Sequence, residues 1–176
     1  MPVPAKMLYA FYDPFCHQFP FCFYFIGGEQ AAYPLDHDPG TAHEMLELSK
    51  DNGDEIRGYK MALCERDIAI YGVMVLAGIA YGITRRAMGR SLKQMPLWLL
   101  YIFFIMPMFL DGGLQWLTYT LKDISSALVA EPFETVPAMR VLTGGLFGFG
   151  MTWILYPNVD EFFVDIRQTL ETKFGW

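Results

Sequence analysis

Charge is scarce in this chain. Asp, Glu, Lys and Arg together make 18% of its 176 residues, against 53% apolar and 16% aromatic. An ordinary soluble domain carries about 25% charged residues, so the shortfall argues against a water-filled surface all round. A basic excess is missing as well. Thirteen Lys and Arg face nineteen acids, a formal net charge of −6, which leaves no basic stripe to neutralise a phosphate backbone and excludes nucleic acid as a partner. Histidine and cysteine are rare, three of each, and no doubled Cys-x-x-Cys pattern occurs. There is no phosphate-binding loop, dinucleotide fingerprint or Ser/His/Asp signature. The start, Met1 to Ala10, carries only Lys6 and no clean apolar run, which predicts no cleavable signal peptide.

What is abundant is apolar sequence in long runs, with a positive mean hydropathy. Three segments read as membrane spans: Asp67 to Ile83, Met95 to Leu110 and Ala138 to Tyr156. Each approaches the ~17–25 residues needed to cross the hydrocarbon, and the second can lengthen through Asp111-Gly112-Gly113 into Leu117. Gly78-x-x-x-Gly82 and Gly144-x-x-x-Gly148 lie inside two of them, a spacing that lets helices approach closely in lipid. Between the first two spans stand Arg85, Arg86, Arg90 and Lys93 with no acid among them. The positive-inside rule then predicts a cytoplasmic loop there, with the N-terminus outside and the C-terminus cytoplasmic. The fold class expected is all-α, an integral helical bundle of three transmembrane helices in the cell membrane.

Three regions follow. Residues 1–66 are expected to be extracytoplasmic and interfacial. Within them Tyr9 to Ile26 is dense in Phe, Tyr and Pro and is broken by Pro14 and Pro20. Glu29 to Arg57 is a polar insert with eight acids against Lys50 and Arg57. Thr41 followed by Glu44 suggests a short capped helix over 41–50; the rest of the insert reads as loop. Residues 67–156 form the bundle. Residues 157–176 read as an amphipathic tail helix, with Phe162, Phe163, Ile166, Leu170 and Phe174 near helical spacing.

Residues able to do chemistry gather at the predicted outer face. Cys16, His17, Cys64 and Asp67 supply thiolate, imidazole and carboxylate, a ligand set for a transition-metal ion such as zinc. The same cysteines, with Cys22, could instead form a disulfide or pack as thiols; three cysteines cannot all pair within one chain. His37 and His43 with Asp36, Asp38 and Glu44 make a second group of ligand types, of the kind usually just solvated. Asp111 and Gln115 share a helix face at i, i+4, and Arg66 lies at a similar depth. These three are expected to form a structural polar cluster, because an acid or guanidinium left alone in low dielectric is costly. Cys16-His17, Cys64 to Asp67 and Asp111 to Gln115 are expected to converge.

The motifs resemble those of one family. Tyr12 to Pro20 resembles the Cys-His-Gln-x-Pro opening of the DUF2085 family, small predicted membrane proteins of bacteria and archaea. Cys64-Glu65-Arg66-Asp67-Ile68-Ala69-Ile70-Tyr71-Gly72 resembles its second motif, Pro107-x-x-x-Asp111-Gly112-Gly113-x-Gln115 its third, and Arg140-x-x-Thr143-Gly144-x-Leu146-x-Gly148 its last. Where many members have Cys-x-x-Cys in the second motif, this chain has Cys64-x-x-Asp67. The resemblance implies the membrane architecture and no particular reaction. With no catalytic motif complete, the sequence favours a non-catalytic accessory or structural subunit of a larger membrane complex, in contact with lipids and other subunits. An energy-transducing assembly, respiratory or photosynthetic, is one host that fits. The alternative is a metal-binding or thiol-redox membrane enzyme or sensor built on the Cys/His/Asp group.

Overall fold

The structure is a computed structural model, and it describes residues 3–12, 20–33, 47, 50–124 and 133–175. Cys16, His17, His37, His43 and the proposed 41–50 helix, apart from Glu47 and Lys50, lie outside the described residues, as does the expected convergence of Cys16 with Cys64. Elements run in the order α1 (Val3–Tyr12), a 3-10 turn (Pro20–Cys22), β1 (Phe23–Ile26), β2 (Gly53–Asp54), β3 (Gly58–Cys64) and α2 (Glu65–Met88). Next come α3 (Leu97–Leu100), a π-helical stretch (Tyr101–Ile105), α4 (Met106–Ile124) and α5 (Pro137–Phe174). Among the described residues, three helical stretches are long and apolar enough to cross a membrane: Glu65–Met88, Leu97–Lys122 and Pro137–Phe174. The protein is mostly helical, as its apolar runs predict.

A small antiparallel sheet of order β1-β3-β2 was not expected in the N-terminal region. Its cause is local. Pro20 opens the 3-10 turn, where its missing N–H costs nothing. The run Phe23-Tyr24-Phe25-Ile26 then alternates, with Phe23 at 0% and Phe25 at 5% exposed and their neighbours on the other face. Gly53 and Gly58 hold φ values of 84° and 82° at the β2–β3 turn, a conformation costly for any residue with a Cβ. A Cβ on Gly58 would also meet the Ile26 carbonyl oxygen at 2.6 Å. Asp54 closes the turn by accepting the Ile56 and Arg57 N–H groups at 2.9 and 2.7 Å.

The second span is continuous but locally underwound at Tyr101–Ile105. Pro107 explains it. A proline ring clashes with the carbonyl four residues earlier, here Phe103, which lies inside the π stretch. In α5 the helix passes through Pro157, joining the expected third span and tail into one element of 38 residues. Pro157 leaves the Trp153 carbonyl without its usual N–H donor, and beside it Asn158 Nδ2 donates to the Ile154 carbonyl at 2.6 Å.

The chain divides into two compact units, one of Met1–Ile68 and Gly112–Val141, the other of Ala69–Asp111 and Leu142–Trp176. In the second, glycines set the helix packing. A Cβ on Gly148 would lie 2.4 Å from the Ile70 carbonyl oxygen, and one on Gly150 2.7 Å from Phe104 Cβ. Gly78 faces the Tyr156 hydroxyl, whereas Gly82 has open space beside it. Each x-x-x pair therefore supplies a glycine, Gly78 or Gly148, to a close contact within this unit. Rings fill in around them: Phe104 lies tilted against Phe149, with centroids 5.3 Å apart, and Phe149 stacks on Trp153 at 5.6 Å.

Candidate functional site: a buried ionic hub

The first unit holds a chain of paired polar groups. Its centre is Arg140, in the first turn of α5. The side chain is 7% exposed, Glu65 beside it 0% and Glu134 22%. Arg140 Nη1 donates to the Phe21 carbonyl at 2.8 Å and to Glu65 Oε2 at 3.4 Å, while Nη2 donates to Glu134 Oε2 at 3.1 Å. One guanidinium thus ties α5 to the start of α2, to the segment before α5 and to the 3-10 turn. Its planar fork of donors suits that task better than a lysine would. Glu134 also accepts Gln115 Nε2 at 3.2 Å and the Tyr119 hydroxyl, and Arg66 Nη2 donates to Gln115 Oε1 at 3.3 Å. Tyr119 and Phe21 are both buried and pack together against Cys22.

Local sequence puts each group in place. Glu65 is the first residue of α2 and Asp67 lies in its first turn, where the helix dipole favours acids. Cys64 ends β3, and its Sγ accepts the Asp67 N–H at 3.4 Å, so the thiol helps close the helix start. Gly112 stands where a Cβ would come 3.0 Å from Arg66 Nη1, which leaves the guanidinium room to reach Gln115. Asp111, 8% exposed, belongs to the second unit and accepts the Thr143 hydroxyl at 2.9 Å. Of the residues expected to cluster, the structure links Arg66 with Gln115 in one unit and gives Asp111 Thr143 as a partner in the other. Of the proposed metal ligands, Cys64 and Asp67 are neighbours at the β3–α2 junction. Among the described residues no group of three or more His, Cys, Asp and Glu is arranged to hold a metal ion.

Sequence reasoning named Arg140 only as a motif residue and gave it no partner. Arg140 is a cation at the start of an apolar span, and such a group demands a partner; that was the available signal. Glu134 gave a weaker one, an acid in a Pro-flanked connection. Outside the spans, Tyr9 donates to the Lys60 carbonyl, and burial raises its phenol above the ordinary value. Lys60 is 3% exposed, with its ammonium 5.2 Å from the Phe23 ring centroid.

Comparison with protein families matches residues 54–154 to one described as a predicted membrane protein, DUF2085. The chain belongs to the DUF2085 family. The matched stretch contains Glu65, Arg66, Gln115, Glu134 and Arg140, so the hub's charged groups lie within the DUF2085 segment, whereas the Cys16-His17 motif precedes it. No curated protein and no solved structure matches the chain.

Proposed function

We propose that this DUF2085 protein is a non-catalytic accessory subunit of a larger membrane complex, with an energy-transducing assembly as one host that fits. The observation that carries the reading is how little of the spans the chain covers for itself. Of the most apolar stretch in each, 6% is buried in Glu65–Met88, 11% in Leu97–Lys122 and 33% in Pro137–Phe174. Gly72, Gly82 and Gly113 have nothing within 4 Å of a would-be Cβ, which suits close approach by helices of another chain. The charged groups of the hub are engaged with one another, a structural use that a small scaffold subunit needs. Lipid covers whatever other subunits do not.

In this reading residues 1–66 lie outside, 67–156 form the bundle, and 157–176 lie on the cytoplasmic side, following the Arg85 to Lys93 loop. In this reading Cys64 and Asp67 serve the fold, the thiol accepting the Asp67 N–H at the start of α2. Purification from native membranes in mild detergent tests the assignment. The expected result is co-migration with other membrane chains at fixed stoichiometry. A stable lone monomer would overturn it, and one equivalent of zinc, iron or copper lost in Cys64→Ala would promote a metal-dependent role instead.

A further inference from the structure

The geometry points to a binding site for an anionic phospholipid headgroup at Arg86, Arg90 and Lys93, where the first span turns toward the second. This goes beyond the subunit reading and does not depend on it. Four cations stand at that turn, and Arg85 is already used. Its Nη2 approaches the Asp160 carboxylate at 2.5 Å; Tyr81 donates to the same carboxylate at 3.4 Å, and Ser91 donates to it as well. Asp160 is thus occupied by three donors. Among the described residues, Arg86, Arg90 and Lys93 make no hydrogen bond or ion pair, and all three are exposed. Glu161, the next acid on α5, is turned about 100° away from Asp160 around the helix and pairs with none of them.

The backbone that carries these cations is held in place. Gly89, at φ 65°, ends α2 in the left-handed conformation that glycine adopts freely, and its N–H donates to the Arg85 carbonyl at 3.0 Å. The segment beyond is tied to α5 twice, by Ser91 on Asp160 and by Gln94 Nε2 on Asn158 Oδ1 at 2.7 Å. The positive-inside rule asks only for a surplus of cations on a loop; it does not call for a loop pinned to a neighbouring helix. Aromatic residues mark the depth. Trp98 and Tyr101, 63% and 52% exposed, stand at i, i+3 where the second span begins, and such rings settle at the headgroup level. On α2, Arg86 stands about 100° round the helix from Arg85 and so away from Asp160. It shares a face with Ile83 and Ile79, three and seven residues before it, which are 66% and 57% exposed. Cations above an apolar track match the outline of a phospholipid, with the phosphate on the cations and an acyl chain along the track. A soluble phosphate has no use for the track. A zwitterionic lipid brings its own cation to a patch that already holds three, so the matching occupant carries net negative charge.

The test is native mass spectrometry of the full chain in mild detergent, titrated with phosphatidylglycerol or with phosphatidylcholine of the same acyl chains. The expected result is tight retention of phosphatidylglycerol and weak retention of phosphatidylcholine. Arg86→Gln, Arg90→Gln and Lys93→Gln together should weaken phosphatidylglycerol binding about a hundredfold, and Arg90→Gln alone about fivefold. Arg90 lies outside the helices, so the single variant reads the site if the triple one does not fold. Arg167→Gln with Lys173→Gln, which takes two cations from the tail, should leave the affinity unchanged. Equal affinity for the two lipids, or unchanged binding in Arg90→Gln, would overturn the proposal. An equal loss in the tail variant would overturn it too, because overall charge would then suffice. So would displacement of the bound lipid by an equal concentration of inorganic phosphate, which would give the cations to a soluble anion. Purification of the chain without partners touches only the subunit reading.

Discussion

The two compact units hold together by different physics. The first relies on buried charge: Arg140, Glu65 and Glu134 are tied into one network with Gln115, Tyr119 and the Phe21 carbonyl. The second relies on close packing. Gly148, Gly150 and Gly78 admit neighbouring backbone and rings, and its main ion pair, Arg85 with Asp160, sits partly exposed. Charges buried together are specific about their partners but gain little net stability, because desolvation offsets attraction. Glycine-mediated packing has no such offset, yet tolerates almost no added volume. The difference teaches that the first unit should fail when one charge is removed alone, and the second when one methyl is added.

Arg140→Met should have the largest effect. It leaves Glu65, at 0% exposure, buried without its cation, and breaking one side of a buried pair costs ~3–5 kcal/mol. Thermal unfolding in detergent should show a collapse of stability, partly restored when Glu65→Gln and Glu134→Gln are added. Gly148→Ala comes next. Its methyl would meet the Ile70 carbonyl oxygen, and forced overpacking costs about 1–3 kcal/mol; a drop in melting temperature in the otherwise unaltered chain checks it. Asp160→Asn should be milder, about 1 kcal/mol or less and weaker in high salt, because Arg85 is 45% exposed.

The smallest expected effect is local and pH-dependent. The Arg57 backbone N–H, and then its guanidinium, hold the Asp54 carboxyl below its ordinary value. A lowered folded value means that this contribution to the β2–β3 turn is present above the unfolded carboxylate value and lost as pH falls through the folded one. Amide exchange in that turn should therefore quicken in acid, and Asp54→Asn should remove the dependence.

The spans were legible in the sequence because length and hydropathy are summed over about twenty residues, so no single position decides them. The Asp111–Gln115 stretch was recognisable from its polarity at the end of an apolar run. Other parts depended on distant partners. Phe23 to Ile26 become a strand through pairing with Gly58 to Cys64, across a polar insert that hides their relation. The continuity of α5 through Pro157 was obscured because a proline ordinarily signals a stop. Arg140 is one residue in sequence but a hub only in three dimensions, where Glu65, Glu134 and the Phe21 carbonyl meet it from three separate stretches.

The central claim is that the buried charges serve structure and that the chain serves an assembly. The direct measurement is the triple variant Arg140→Met, Glu65→Gln, Glu134→Gln, expressed in a strain lacking the native gene and purified from its membranes in mild detergent. The account predicts a folded protein that keeps its partner chains and reverses the phenotype of the deletion. A variant that folds and keeps its partners yet fails to reverse that phenotype would contradict it, because the charges would then be needed for chemistry rather than for the fold.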